Sequence, residues 1–138
     1  MVKERGVAMK KTNLTHQEQQ ALQKFVAYLQ KTIPHQVEII ALFGSKARGE
    51  SQQDSDTDVL VILKQEDRQL RRAILKQAAR ISLEHDVLIS PRVIGAKRWE
   101  QMRGFSLYRN VIRDAAGLGI VGGDLTLEPA GAVFNTGV

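Results

Sequence analysis

The 138-residue chain is 43% hydrophobic and 25% charged, the balance of one globular domain with a single core and no room for a full accessory domain. It has no cysteine, which excludes a disulfide framework, a thiolate zinc site and a cysteine nucleophile, and suits a reducing, cytoplasmic setting. A formal charge of +5 favours polyanionic partners: nucleotide phosphates, an acidic protein surface or, secondarily, nucleic acid.

Residues 1–14 begin with basic residues but have no apolar stretch behind them, so they are expected to be a frayed, disordered N-terminus and not a signal peptide, with Met9 an alternative start. A helix is predicted from Thr15, where Thr15 and Glu18 have capping-box spacing. It places Leu22, Phe25, Val26, Leu29 and Ile33 on one face before Pro34 ends it. Val37 to Phe43 is apolar and β-branched with only Glu38 charged, a strand covered on both faces. Gly44 permits a sharp turn into Ser45 to Glu50, one or two helical turns, and Gln52 to Asp54 is a loop. A second strand is expected from Asp56 to Leu63. Neither apolar run, Ile39 to Phe43 nor Val59 to Leu63, approaches the ~20 residues that cross a bilayer, so no membrane partner is expected.

A helix from Arg68 to Leu83 turns Leu70, Ile74, Ala78 and Ile81 inward and sets Arg72, Lys76 and Arg80 on the opposite face, the pattern of a solvated basic stripe. Asp86 to Ile94 is a third strand, interrupted by Pro91 as an edge strand can be. Lys97 to Met102 and Ser106 to Ala115 are short helices in which Trp99 and Tyr108 are packing residues. Beyond Gly117 periodicity fades, so residues 15–116 are the domain and 117–138 a glycine-rich tail or irregular hairpin.

Chemistry concentrates around the second strand. Residues two apart on a strand point to the same face, so Asp56 and Asp58 are aimed together and repel. A divalent cation removes that repulsion, and Mg²⁺, or Mn²⁺ in its place, takes carboxylate oxygens together with substrate phosphates. Asp86, opening the next strand after a helical crossover, would bring a third carboxylate to the same side, enough to hold two ions roughly 3.5–4 Å apart. Upstream, Gly44 lets the backbone approach a phosphate, and Ser45 offers a hydroxyl and first-turn N–H groups. Lys46 is an alternative phosphate contact, and His85 a surface residue. Each feature has a plainer reading: Asp-x-Asp also occurs at turns, Asp86 could cap a strand, and Arg48 could pair with Glu50 or Asp54.

Gly44-Ser45, Arg48-Gly49 and Ser55-Asp56-Thr57-Asp58-Val59 after an apolar strand resemble the signature of the DNA polymerase beta-like nucleotidyltransferase superfamily. The small size and the stretch FSLYRNVIRDA are similar to the minimal nucleotidyltransferases (MNT), many of which are antitoxins paired with HEPN-domain toxins. The resemblance implies an α/β (α+β) fold with a small mixed sheet and helices packed on one face. It implies metal binding by Asp56 and Asp58, metal binding or acceptor activation by Asp86, triphosphate binding by Ser45, a turn shaped by Gly44, and support of phosphate or loop by Arg48. The implied reaction moves a nucleoside monophosphate, AMP in the leading case, from ATP or another NTP to a tyrosine of a HEPN toxin. The competing readings are transfer to an antibiotic hydroxyl, with homo-oligomerisation completing the pocket, and an inert toxin- or operator-binding module.

Overall fold

The computed structural model describes residues 13–50 and 55–129. The expectations for residues 1–12, for the loop at 52–54 and for 130–138 fall outside the described residues. In chain order the elements are α1 (His16–Thr32), β1 (Val37–Phe43), α2 (Ser45–Arg48), β2 (Thr57–Leu63), α3 (Arg68–His85), β3 (Ile89–Gly95), α4 (Ala96–Gln101), α5 (Ser106–Asp114), β4 (Ala116–Val121) and β5 (Asp124–Pro129). They form a five-stranded mixed sheet of order β3-β2-β1-β4-β5, parallel only between β2 and β3.

Local sequence explains the boundaries. The Thr15 hydroxyl accepts the Glu18 N–H and the Glu18 carboxylate accepts the Thr15 N–H, so α1 starts in a full capping box. Asp67 caps α3 through the Leu70 N–H. The strand β2 is central and nearly all apolar because both its faces are covered. On one face Val59, Val61 and Leu63 join Ile40 and Leu42 of β1 beneath the two long helices, which contribute Leu22, Phe25, Leu29, Ile74 and Ile81. On the other, Ala41, Leu60 and Ile62 form a smaller cluster with Trp99 of α4 and Val111 of α5. Each large apolar side chain so buried contributes about 1.5–3 kcal/mol.

Two segments differ from the sequence reading. The helix α3 runs on to His85, and Asp86 is its C-cap in the left-handed region (φ 56, ψ 46), so β3 begins only at Ile89. Aspartate tolerates that conformation better than most residues, which is why a helix can end on it without glycine. The segment after Gly117, expected as a tail or an irregular hairpin, is through Pro129 a regular hairpin with six uninterrupted pairs. It turns at Gly122-Gly123 (φ 60 and 88) and joins the sheet by pairing Ala41 with Gly117 and Leu42 with Ala116. Glycines at 117 and 119 remove side chains from the alternating pattern and so conceal the strand.

Candidate active site

The antiparallel register of β1 and β2 pairs Phe43 with Asp58, which sets Gly44 directly against the Asp58 side chain. A Cβ built on Gly44 would lie 2.5 Å from Asp58 Oδ2, far inside van der Waals contact. Gly44 also has φ 81, ψ −163, a conformation that L side chains avoid. Glycine is therefore required twice over, once for the turn and once for the close approach of a carboxylate. Ser45 is the first residue of α2, a single turn in which the Ala47 and Arg48 N–H groups donate to the Gly44 carbonyl and those of Ser45 and Lys46 precede that bonding.

Asp56 is exposed just ahead of β2, and Asp58 is half-buried on it. Ser90, which pairs with Asp58 across the parallel β2–β3 register, donates its hydroxyl to Asp56 Oδ2 at 3.2 Å. Burial, and next the charge of Asp56, hold the Asp58 carboxyl above its usual range, and Arg92 on β3 partly offsets them.

Asp86 does not join this pair as the sequence suggests. It is an exposed helix cap, and among the described residues no three acidic or imidazole side chains are grouped closely enough to share a metal ion. The strand position beside Asp58 belongs to Ser90, because the extra turn of α3 delays the start of β3. Nor is Lys46 a phosphate contact: its Nζ is 2.6 Å from Glu18 Oε2, and the two side chains are 1% and 6% exposed. The pair ties α2 to the start of α1, as does the Asn13 N–H donated to the Lys46 carbonyl. Arg48 pairs with Glu50 at 3.1 Å and with Asp114 of α5 at 3.7 Å. Arg113 and Arg48 hold the Asp114 carboxyl below its ordinary range, Arg113 the more strongly through two hydrogen bonds of 3.0 Å. His85 turns Nδ1 to the Ile81 carbonyl, and Trp99 and Tyr108 pack together with ring centroids 4.6 Å apart.

The sequence profile of the family described as "Polymerase beta, Nucleotidyltransferase" matches residues 23–94, more than half of the chain, from the middle of α1 into β3 and so including Gly44, Asp56 and Asp58. The chain belongs to this nucleotidyltransferase family. A relative from Methanocaldococcus jannaschii, "Putative protein adenylyltransferase MJ0141", is 35% identical over 71 residues, which cover 51% of this chain and 72% of the relative. Among solved structures, a chain of a toxin–antitoxin MntA-HpeT mutant is 18% identical with a TM-score of 0.46, covering 68% of each chain. A toxin–antitoxin structure with AMP-PNP is 19% identical with a TM-score of 0.45, covering 69% of this chain and 70% of the other. These are likenesses of fold.

Nucleotidyltransferases of this kind use a nucleoside triphosphate and a divalent metal. The residues present fit both. The carboxylates of Asp56, just ahead of β2, and Asp58, on it, are hard oxygen donors, and the burial and repulsion that raise Asp58 are what a divalent ion relieves. The missing Cβ at Gly44 keeps the backbone of the Gly-Ser turn against that carboxylate, where phosphate oxygens can reach both. No helix among the described residues is long and apolar enough to cross a membrane.

Proposed function

We propose that this nucleotidyltransferase transfers AMP from ATP to a tyrosine hydroxyl of a HEPN-domain protein, acting as the antitoxin of a toxin–antitoxin pair. The observation that carries this reading is the Gly44–Asp58 apposition, in which the Gly-Ser turn lies directly against one carboxylate of the Asp56–Asp58 pair. The protein acceptor is supported by the relative, a putative protein adenylyltransferase 35% identical over 71 residues.

In this reading Ser45 and the first N–H groups of α2 bind the triphosphate, and Gly44 admits it. Asp56 and Asp58 would hold Mg²⁺, with Ser90 orienting Asp56. When bound, the ion neutralises the phosphates and polarises the α-phosphorus. The acceptor hydroxyl gives up its proton to solvent as its oxygen bonds the α-phosphorus, the bond to the bridging oxygen breaks, and pyrophosphate leaves. The Lys46–Glu18 pair and the Arg48–Asp114 pair fix the loop that carries Ser45. Asp86, exposed at its helix cap, takes no part.

The test is intact-mass spectrometry of a HEPN-domain protein encoded beside this chain, incubated with ATP and Mg²⁺. The reading expects a gain of one AMP per modified tyrosine, abolished by chelator. An unmodified protein, or modification that persists in chelator, refutes it.

A further inference from the structure

Beside β3, on the outer edge of the sheet, lies a groove of about 720 Å³ walled by the first turns of α3 and by α4 and α5. Four guanidinium groups line it, those of Arg68, Arg71, Arg92 and Arg98, over apolar side chains that include Ile94 and Leu107. Its two acids are already engaged. Asp67 caps α3, and Glu66 accepts the Gly95 N–H at 3.0 Å and lies 3.9 Å from Arg98. Arg68, Arg71 and Arg92 form no ion pair with a described residue. The groove continues toward Asp58, since Arg92 lies two residues along β3 from Ser90, the register partner of Asp58, and on the same face of the sheet. It extends along β3 from Pro91 to Gly95, a run of ~13 Å.

The strand edge at its base is closed to pairing. The Thr57 N–H bonds the Leu88 carbonyl, so even-numbered residues of β3 face β2 and odd-numbered ones face outward. Of the outward residues, Ile89 donates to Ser82 Oγ at 3.0 Å, Pro91 has no N–H, and Gly95 donates to Glu66. Only Val93 remains, too little for an added strand. An occupant must therefore dock through side chains. Among the described residues the lining holds no aromatic ring on which nucleobases could stack.

We infer that this groove docks an acidic, amphipathic helix of the protein acceptor, its carboxylates on Arg68, Arg71 and Arg98 and its apolar face on the floor, so that the acceptor hydroxyl is delivered past Arg92 to Asp58. The inference rests on the protein-acceptor reading above and adds where and by what chemistry the acceptor is held. It assigns the arginines to positioning the acceptor, so their effect falls on acceptor KM and not on nucleotide binding.

The test uses the full chain with R68E/R71E, and separately R98E on α4, against the same HEPN-domain protein. Binding is measured by calorimetry in the Asp58→Asn background, transfer kinetics in the wild-type background, and Mg-ATP binding in both. The docking groove predicts acceptor affinity weakened at least about tenfold and acceptor KM raised to match, with kcat and Mg-ATP binding retained. R98E gives the same pattern should R68E/R71E fail to fold. Transfer with unaltered KM in the variants overturns the groove and leaves the proposed function standing. Groove-dependent binding without any transfer supports the groove and overturns the proposed function. Absence of binding to the wild-type chain overturns both. Arginine-dependent binding of a single-stranded oligoribonucleotide, with HEPN-protein affinity unchanged, assigns the groove to nucleic acid and overturns the inference.

Discussion

Glu18→Ala should be the most destabilising single change among the polar residues of this domain. Glu18 Oε2 lies 2.6 Å from Lys46 Nζ, with side chains 6% and 1% exposed, while Oε1 accepts the Thr15 N–H at 2.9 Å. Truncation leaves an ammonium buried with no counter-charge, which costs about 3–5 kcal/mol. Loss of the capping-box hydrogen bond adds about 1 kcal/mol. For a domain of this size the melting temperature should fall on the order of 10–20 °C. The loss should also loosen the turn that carries Ser45, because Lys46 is the next residue and anchors it to α1. Calorimetric melting of Glu18→Ala, Lys46→Met and the double variant Glu18→Leu/Lys46→Met separates charge from packing. An apolar pair of similar volume should regain most of the stability, as buried ion pairs rarely outperform it. A Glu18→Ala loss below about 1 kcal/mol, or a double variant no better than either single one, would refute the buried-pair argument.

Gly44→Ala should abolish nucleotide chemistry, with transfer reduced ~100-fold or more, because its methyl group would occupy the space of the Asp58 carboxylate; radiolabel transfer and a melting curve, expected to show about 1–3 kcal/mol of lost stability, check it. Thr57→Val should be neutral or stabilising by about 1 kcal/mol, since Thr57 Oγ1 is buried without a hydrogen-bond partner among the described residues; chemical denaturation decides, and a loss above that size would mean the hydroxyl is satisfied. Asp58 has its folded-state pKa raised by burial and by Asp56, so its ionised form opposes folding at neutral pH, and the penalty is relieved as pH falls through that raised value. In chelator, Asp58→Asn should therefore be at least as stable as wild type at pH 7, and the difference should vanish on acidification into the ordinary carboxylate range; an Asn variant less stable at pH 7 contradicts the sign.

Much of the site was legible from residue chemistry with strand periodicity. Asp56 and Asp58 two apart at the start of an apolar strand, with Gly44-Ser45 at the end of the preceding one, required only that the two strands pair antiparallel, which puts Phe43 beside Asp58. Asp86 misled because the start of β3 was read from composition alone. Asp86-Val87-Leu88-Ile89 looks like a strand entry, yet α3 extends through His85 and its C-cap consumes Asp86. Ser90 and Arg92 were missed as a direct consequence, since their place beside β2 depends on that register. The signal for them was Pro91, which marks an edge strand and so the residues flanking it as neighbours of β2. Glu18 announced its helix cap through Thr15, but its second role as the partner of Lys46 joins residues distant in sequence and has no local signature. The β4–β5 hairpin was one of two readings of its segment, and its regularity was not legible because glycines within β4 blur the alternation.

Parallel incubations of the chain and the proposed HEPN-domain acceptor with Mg²⁺ and ATP labelled at either the α- or the γ-phosphate test nucleotidyl transfer by the Asp56–Asp58 site most directly. The account predicts that the α-label enters the acceptor, that the γ-label is released as pyrophosphate, and that Asp58→Asn lowers α-label transfer at least ~100-fold while the variant remains folded. Entry of the γ-label, or α-label transfer undiminished in Asp58→Asn, would contradict it.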